Sequence, residues 1–154
     1  MTPTDGELAI KLLLAMVLGI LVGLEREYTH HPAGVRTMAM VALGACLFTA
    51  LGQKLVPGGQ DPTRVAAQVV TGIGFLGAGA ILRLGTSIIG LTTAASIWVV
   101  ASIGMAVGFG YYTTGVVCAL IVLLTLVLIR PIERRFFPRK AGEPAQERPP
   151  ASLP

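Results

Sequence analysis

The chain has 154 residues, 53% of them hydrophobic and only 13% charged, with a mean hydropathy of +0.74. Soluble domains are about a quarter charged, and a chain this short cannot bury so much apolar surface in water. A soluble domain is therefore excluded, and the composition reads as an all-α integral membrane protein. The net charge of +4 would suggest nucleic acid in a soluble protein. Here the basic residues gather beside apolar runs, so topology accounts for them and no nucleic-acid partner is expected.

The segment MTPTDGE is acidic, and the first apolar run ends in GLERE rather than in a small-residue cleavage site. That run, Leu8 to Leu24, is thus expected to remain as a membrane span. Lys11 falls in its first turn and is expected to snorkel toward the headgroups. Gly19 and Gly23 stand four residues apart, the spacing by which helices in lipid approach closely. The following loop, GLEREYTHHPAGVRT, holds Glu25, Glu27, His30 and His31. A metal site is the less favoured reading there, because adjacent histidines project in different directions. Glu25, Arg26 and Arg36 are expected to form an ion network at the ends of the first two spans. The second span is Thr37 to Leu55.

DPTRVAAQ, Asp61 to Gln68, reads as a helix start with Asp61 as N-cap, Pro62 at the first helical position, and Arg64 paired with Asp61. The alternative is a cation or proton site at the bundle mouth, with Gln68 and Thr71 deeper along the same helix. The third span, Val65 to Leu82, contains GIGFLG, which matches the dinucleotide pattern G-x-G-x-x-G. No strand precedes it, and no Asp or Glu occurs between Asp61 and Glu133 to hold a ribose. Gly72, Gly74, Gly77 and Gly79 are instead assigned to helix packing, and no cofactor is expected.

From Leu84 to Ile129 there is no charged residue. That length accommodates two spans, Ile88 to Val107 and Thr114 to Ile129, with GFGYYT as the turn. Thr92, Thr93 and Ser96 are expected to hydrogen-bond between helices, and Gly104 and Gly108 repeat the packing spacing. Cys46 and Cys118 lie in apolar runs and read as small packing residues. From Pro131 to Pro154 the chain is basic and proline-rich and is expected to be a disordered tail. Arg26, Arg36, Arg83 and the six basic residues from Arg130 on fall on one side, against Lys11, Lys54 and Arg64 on the other. This bias places the carboxyl terminus in the cytoplasm and the amino terminus outside.

GLERE, AGVRT, DPTRVAAQVVTGIGFLGAGAI and GLTTAASIWVVASIGMAVGFGYY closely resemble the membrane domain of the MgtC/SapB family. The resemblance runs from the first span to the fifth. It implies a five-helix bundle in the bacterial inner membrane that supports growth in low magnesium and, in pathogens, survival inside macrophages. It further implies action on membrane energetics or on other membrane proteins, ATP synthase among them, rather than magnesium import. By motif position the family's polar residues fall on Glu25, Arg26, Arg36, Thr37, Asp61, Arg64, Gln68, Thr92, Thr93 and Trp98. Longer members carry a folded cytoplasmic domain after the last span, where this chain has Pro131 to Pro154. Regulation by binding other membrane proteins through small-residue helix faces is the favoured function, and a homo-oligomer is among the expected assemblies. The alternative is a cation transporter or channel using Asp61. The sequence carries no nucleophile–base pair, so an enzyme is not expected.

Overall fold

The computed structural model describes residues 5–55, 63–84 and 87–136. It is an all-helical membrane bundle of five helices: α1 Asp5–Tyr28, α2 Val35–Leu55, α3 Thr63–Gly79, α4 Leu91–Gly108 and α5 Tyr112–Phe136. A two-stranded antiparallel hairpin, β1 Leu82–Leu84 and β2 Ser87–Ile89, joins α3 to α4.

Local chemistry sets the helix ends. Asp5 and Glu7 lie in the first turn of α1, where the positive end of the helix dipole favours them. The same helix closes with the His30 N–H donating to the Glu27 carbonyl and the His31 N–H to the Arg26 carbonyl, a Schellman arrangement. His30 occupies its left-handed position at φ 59°. α4 closes in the same manner, with Gly110 at φ 89°, its N–H on the Val107 carbonyl and the Tyr111 N–H on the Ala106 carbonyl.

α1, α2, α4 and α5 are each long and apolar enough to cross a bilayer. α3, read from sequence as a span ending at Leu82, stops at Gly79 after 17 residues. At 1.5 Å per residue it measures about 26 Å, short of the ~30 Å hydrocarbon core. The chain leaves it through N–H bonds from Ala80 to Gly77 and from Ile81 to Ala78, which tighten the last turn. It then runs into the hairpin, where Leu82 pairs with Ile89 and Arg83 with Ile88. Residues at the junction of the third and fourth expected spans are thus paired backbone, and α4 begins at Leu91 rather than Ile88. α5 continues as helix past Pro131 to Phe136, beyond the point where the tail was expected to lose structure. Residues 137–154 lie outside the described residues.

In lipid, close packing replaces the escape from water as the force between helices. α2 runs between α1 and α4, and α4 also touches α3 and α5. Ala42 on α2 is met from both sides. A Cβ on Gly19 of α1 would lie 2.9 Å from the Ala42 Cβ, and one on Gly104 of α4 would run into the Ala42 carbonyl. Around this contact Ala15, Leu18, Val22, Met38, Ala45, Cys46, Val100, Ile103 and Val107 form the buried core.

Candidate functional site

Two cations are buried on α1, near its two ends: Lys11 at 5% exposure and Arg26 at 2%. Fifteen positions at 1.5 Å each separate them by about 22 Å along the helix. A buried charge is costly unless it is paired and hydrogen-bonded, so their partners define the polar chemistry of the bundle.

Arg26 comes from the last turn of α1. Its Nη2 donates to the Thr93 Oγ1 of α4 at 3.2 Å, and its Nη1 lies 3.9 Å from the Glu25 Oε2. Thr93 is fully buried in the first turn of α4. It is placed there by Gly90, whose φ of 87° turns the chain out of β2 into the helix. A Cβ at Gly90 would collide with the Ala80 carbonyl, so the end of α3 sits directly against the start of α4. Glu25 is nearly buried, and its Oε2 accepts no hydrogen bond among the described residues.

The neighbouring loop is fixed by Glu27. Its Oε2 accepts the Val35 N–H at 3.1 Å and so caps the start of α2. Gly34 leaves room for that carboxylate, which a Cβ would strike. Thr29 donates its hydroxyl to the Glu25 carbonyl and lies 2.6 Å from the His31 Nδ1. Glu25, Glu27 and the two histidines do not gather: among the described residues no three potential metal-ligating side chains converge.

The expected network is realised only in part. Arg26 and Glu25 meet, but Arg36 is exposed on α2 and makes no ion pair with Glu25; Thr37 beside it is exposed as well. Of the threonines, Thr93 bonds between helices. Thr92 is exposed, and its carbonyl takes the Ser96 hydroxyl at 2.8 Å. Trp98 is half exposed on α4. Arg64 and Gln68 are exposed on α3. They lie toward the opposite end of the bundle, since Gly52 near the end of α2 faces Val65. Asp61, with its expected cap and its pair to Arg64, lies outside the described residues.

The packing glycines also divide. Gly19, Gly23, Gly104 and Gly108 all face close neighbours: a Cβ on Gly23 would lie 2.6 Å from the Val35 Cα, and one on Gly108 2.7 Å from the Cys46 carbonyl. Gly77 makes ordinary contact with Ala94, while Gly72, Gly74 and Gly79 have nothing within 4 Å. Among the described residues no other helix meets α3 at those three positions.

Lys11 departs furthest from expectation. It does not snorkel. Its Nζ donates to the Gly108 carbonyl at the end of α4, at 3.3 Å, with Glu7 at 3.7 Å and the Tyr112 ring centre at 6.0 Å. Most other buried or half-buried hydroxyls turn inward on their own helices: Thr49 donates to the Ala45 carbonyl and Ser102 to that of Val99. The arrangement holds two cations in fixed positions and joins α1 to both ends of α4.

The profile of the MgtC family matches residues 12–135. Among curated relatives, a protein named MgtC from Salmonella paratyphi A is 40% identical over 139 residues, 90% of this chain and 59% of its own length. The protein of that name from Salmonella typhimurium is 43% identical over 126 residues, 82% of this chain and 54% of its own. The one from Brucella abortus is 44% identical over 118 residues, 77% and 49%. The chain thus spans about half to three-fifths of the length of the relatives it matches. No solved structure matches it. A profile match across both buried cations' partners, Thr93 and Gly108, and relatives alike over most of the chain place it plainly: this multi-pass membrane protein belongs to the MgtC family.

Proposed function

We propose that this chain supports bacterial adaptation to low magnesium from the inner membrane, acting on other membrane proteins rather than carrying ions itself. The observation that carries this reading is the state of its intramembrane polar groups. Lys11 and Arg26 are buried cations locked onto α4, and the hydroxyls of Thr49, Ser96, Ser102 and Thr125 donate to their own helices. Magnesium requires a near-octahedral shell of oxygens and keeps several waters. A bundle whose two buried cations are fixed to α4, whose nearly buried carboxylate, Glu25, lies beside Arg26, and most of whose hydroxyls donate to backbone is a poor conduit for it. The amino terminus is outside and the carboxyl terminus in the cytoplasm, by the excess of Lys and Arg on the Arg26 side. ATP synthase is the partner that the family resemblance suggests.

Growth of a deletion strain across a magnesium titration tests this function. The expected result is a defect confined to low magnesium and rescued by this chain. Rescue should persist in Asp61→Ala, because the carboxylate is a helix cap in this reading. Magnesium or proton flux through proteoliposomes that Asp61→Ala abolishes would favour the carrier instead. Growth equal to wild type at every magnesium level would refute the low-magnesium role.

A further inference from the structure

The turn between α4 and α5 is the place where a charge from one helix closes the end of another. The Schellman bonds satisfy the Ala106 and Val107 carbonyls, and the Phe109 N–H donates to that of Met105. The Gly108 carbonyl is filled by Lys11, from 97 residues earlier in the chain. A cation suits this position, since the carboxyl end of a helix carries about half a negative charge. The ring of Tyr112, the first residue of α5, offers its face to the same ammonium at 6.0 Å. Glu7, one turn back on α1 and half exposed, completes the set at 3.7 Å. Lys11 therefore touches the last residue of α4 and the first residue of α5 at once.

What it holds is the least enclosed span of the bundle. Among the described side chains of α5 the buried residues are Gly115 and Ala119, both in its first half, while Leu120, Ile121, Leu124, Val127 and Leu128 face outward. Gly110, with its positive φ, is the pivot between α4 and α5. Directly beneath the turn is Cys46 of α2, fully buried, with its carbonyl against Gly108.

We propose that Lys11 is a positioning residue that latches the α4–α5 turn onto α1 through its charge, and that releasing it lets α5 pivot at Gly110 and opens this end of the bundle above Cys46. The latch sits at the bundle end opposite the Arg26–Thr93 contact, so one end can loosen while the other stays closed. The inference does not depend on the magnesium role.

The buried thiol is a built-in reporter. The full chain carrying Cys118→Ser is reconstituted in proteoliposomes, and its labelling by N-ethylmaleimide is timed. With Lys11 present Cys46 should react slowly. Lys11→Met, which keeps bulk and removes charge, should speed labelling about tenfold, the effect of losing one charge-assisted hydrogen bond from a local opening step. Lys11→Arg should restore protection. Amide exchange across the first turns of α2 should not change, because the release is local. An unaltered labelling rate in Lys11→Met overturns the latch. So does labelling in Lys11→Arg as fast as in Lys11→Met, or a rise in amide exchange throughout the bundle. Should Lys11→Met fail to elute as a folded species, Tyr112→Leu carries the test: it removes an exposed ring from the ammonium, and a labelling rate equal to wild type would then refute the proposal.

Discussion

Alanine at glycine positions should have opposite effects on the two sides of the bundle. A Cβ on Gly19 would stand 2.6 Å from the Met38 carbonyl oxygen, 2.9 Å from the Ala42 Cβ and 3.0 Å from the Ala39 Cα. Carbon atoms sit best at about 3.5–4.0 Å, so α1 and α2 must part by roughly 1 Å. Overpacking of that size costs about 1–3 kcal/mol, against which alanine returns about 1 kcal/mol of helix propensity. Gly19→Ala should therefore be destabilising by up to about 2 kcal/mol. At Gly72 nothing lies within 4 Å, so the propensity gain stands alone and Gly72→Ala should stabilise by up to about 1 kcal/mol. Unfolding in dodecyl sulfate, followed by far-ultraviolet circular dichroism on the detergent-solubilised protein, measures the difference. Gly104→Ala should behave like Gly19→Ala, and the double variant should fall short of additivity because both press on Ala42. If Gly72→Ala destabilises as much as Gly19→Ala, α3 is packed at Gly72 in the solubilised protein and the two positions do not differ as reasoned from their surroundings.

The other expectations concern the Arg26 end. Arg26→Met and Thr93→Val should show a coupling of about 1 kcal/mol in a double-mutant cycle by the same titration, and no coupling would mean that the 3.2 Å contact contributes nothing. His30→Gly should stabilise by about 1 kcal/mol, because a left-handed residue with a Cβ bears a cost that glycine does not. A loss of stability there would show that the imidazole makes a contact worth more than the strain. Glu27→Ala removes the cap on α2 and should cost about 1 kcal/mol, with faster amide exchange at Val35 than in wild type.

Helices α1, α2, α4 and α5 were legible because an uncharged run of span length has few other uses. Their close contacts were legible too, at Gly19, Gly23, Gly104 and Gly108, since a four-residue glycine spacing marks one helix face. The glycines of α3 carry no such spacing. Glycines permit close approach but do not say which neighbour approaches: Gly77 meets Ala94 of α4, while Gly72, Gly74 and Gly79 have nothing within 4 Å. The hairpin after α3 is less legible, because Leu82, Leu84, Ile88 and Ile89 continue the apolar runs on either side, and Arg83, Gly85, Thr86 and Ser87 read equally as a short loop.

The buried cations show what one-dimensional reading leaves out. Lys11 and Arg26 lie on the same stripe of α1 as Ala15, Leu18, Gly19, Val22 and Gly23. The packing glycines thus already implied that both charges face inward, and a helical projection would have revealed it. Their partners were not recoverable that way, because Gly108 and Thr93 are set by how α4 crosses α1. The two positions are also unequal. Lys11 sits at the negative end of the α4 dipole, and backbone alone favours it. Arg26 sits at the positive end, against Thr93 in the first turn and beside an N-cap, Gly90, that offers no side-chain acceptor. The dipole opposes Arg26, so a carboxylate must offset it, and Glu25 stands nearest in the described structure at 3.9 Å. The GLERE segment therefore keeps its acid and base together for a physical reason: a guanidinium at the start of α4 is tolerable in a low-dielectric bundle only with an anion beside it.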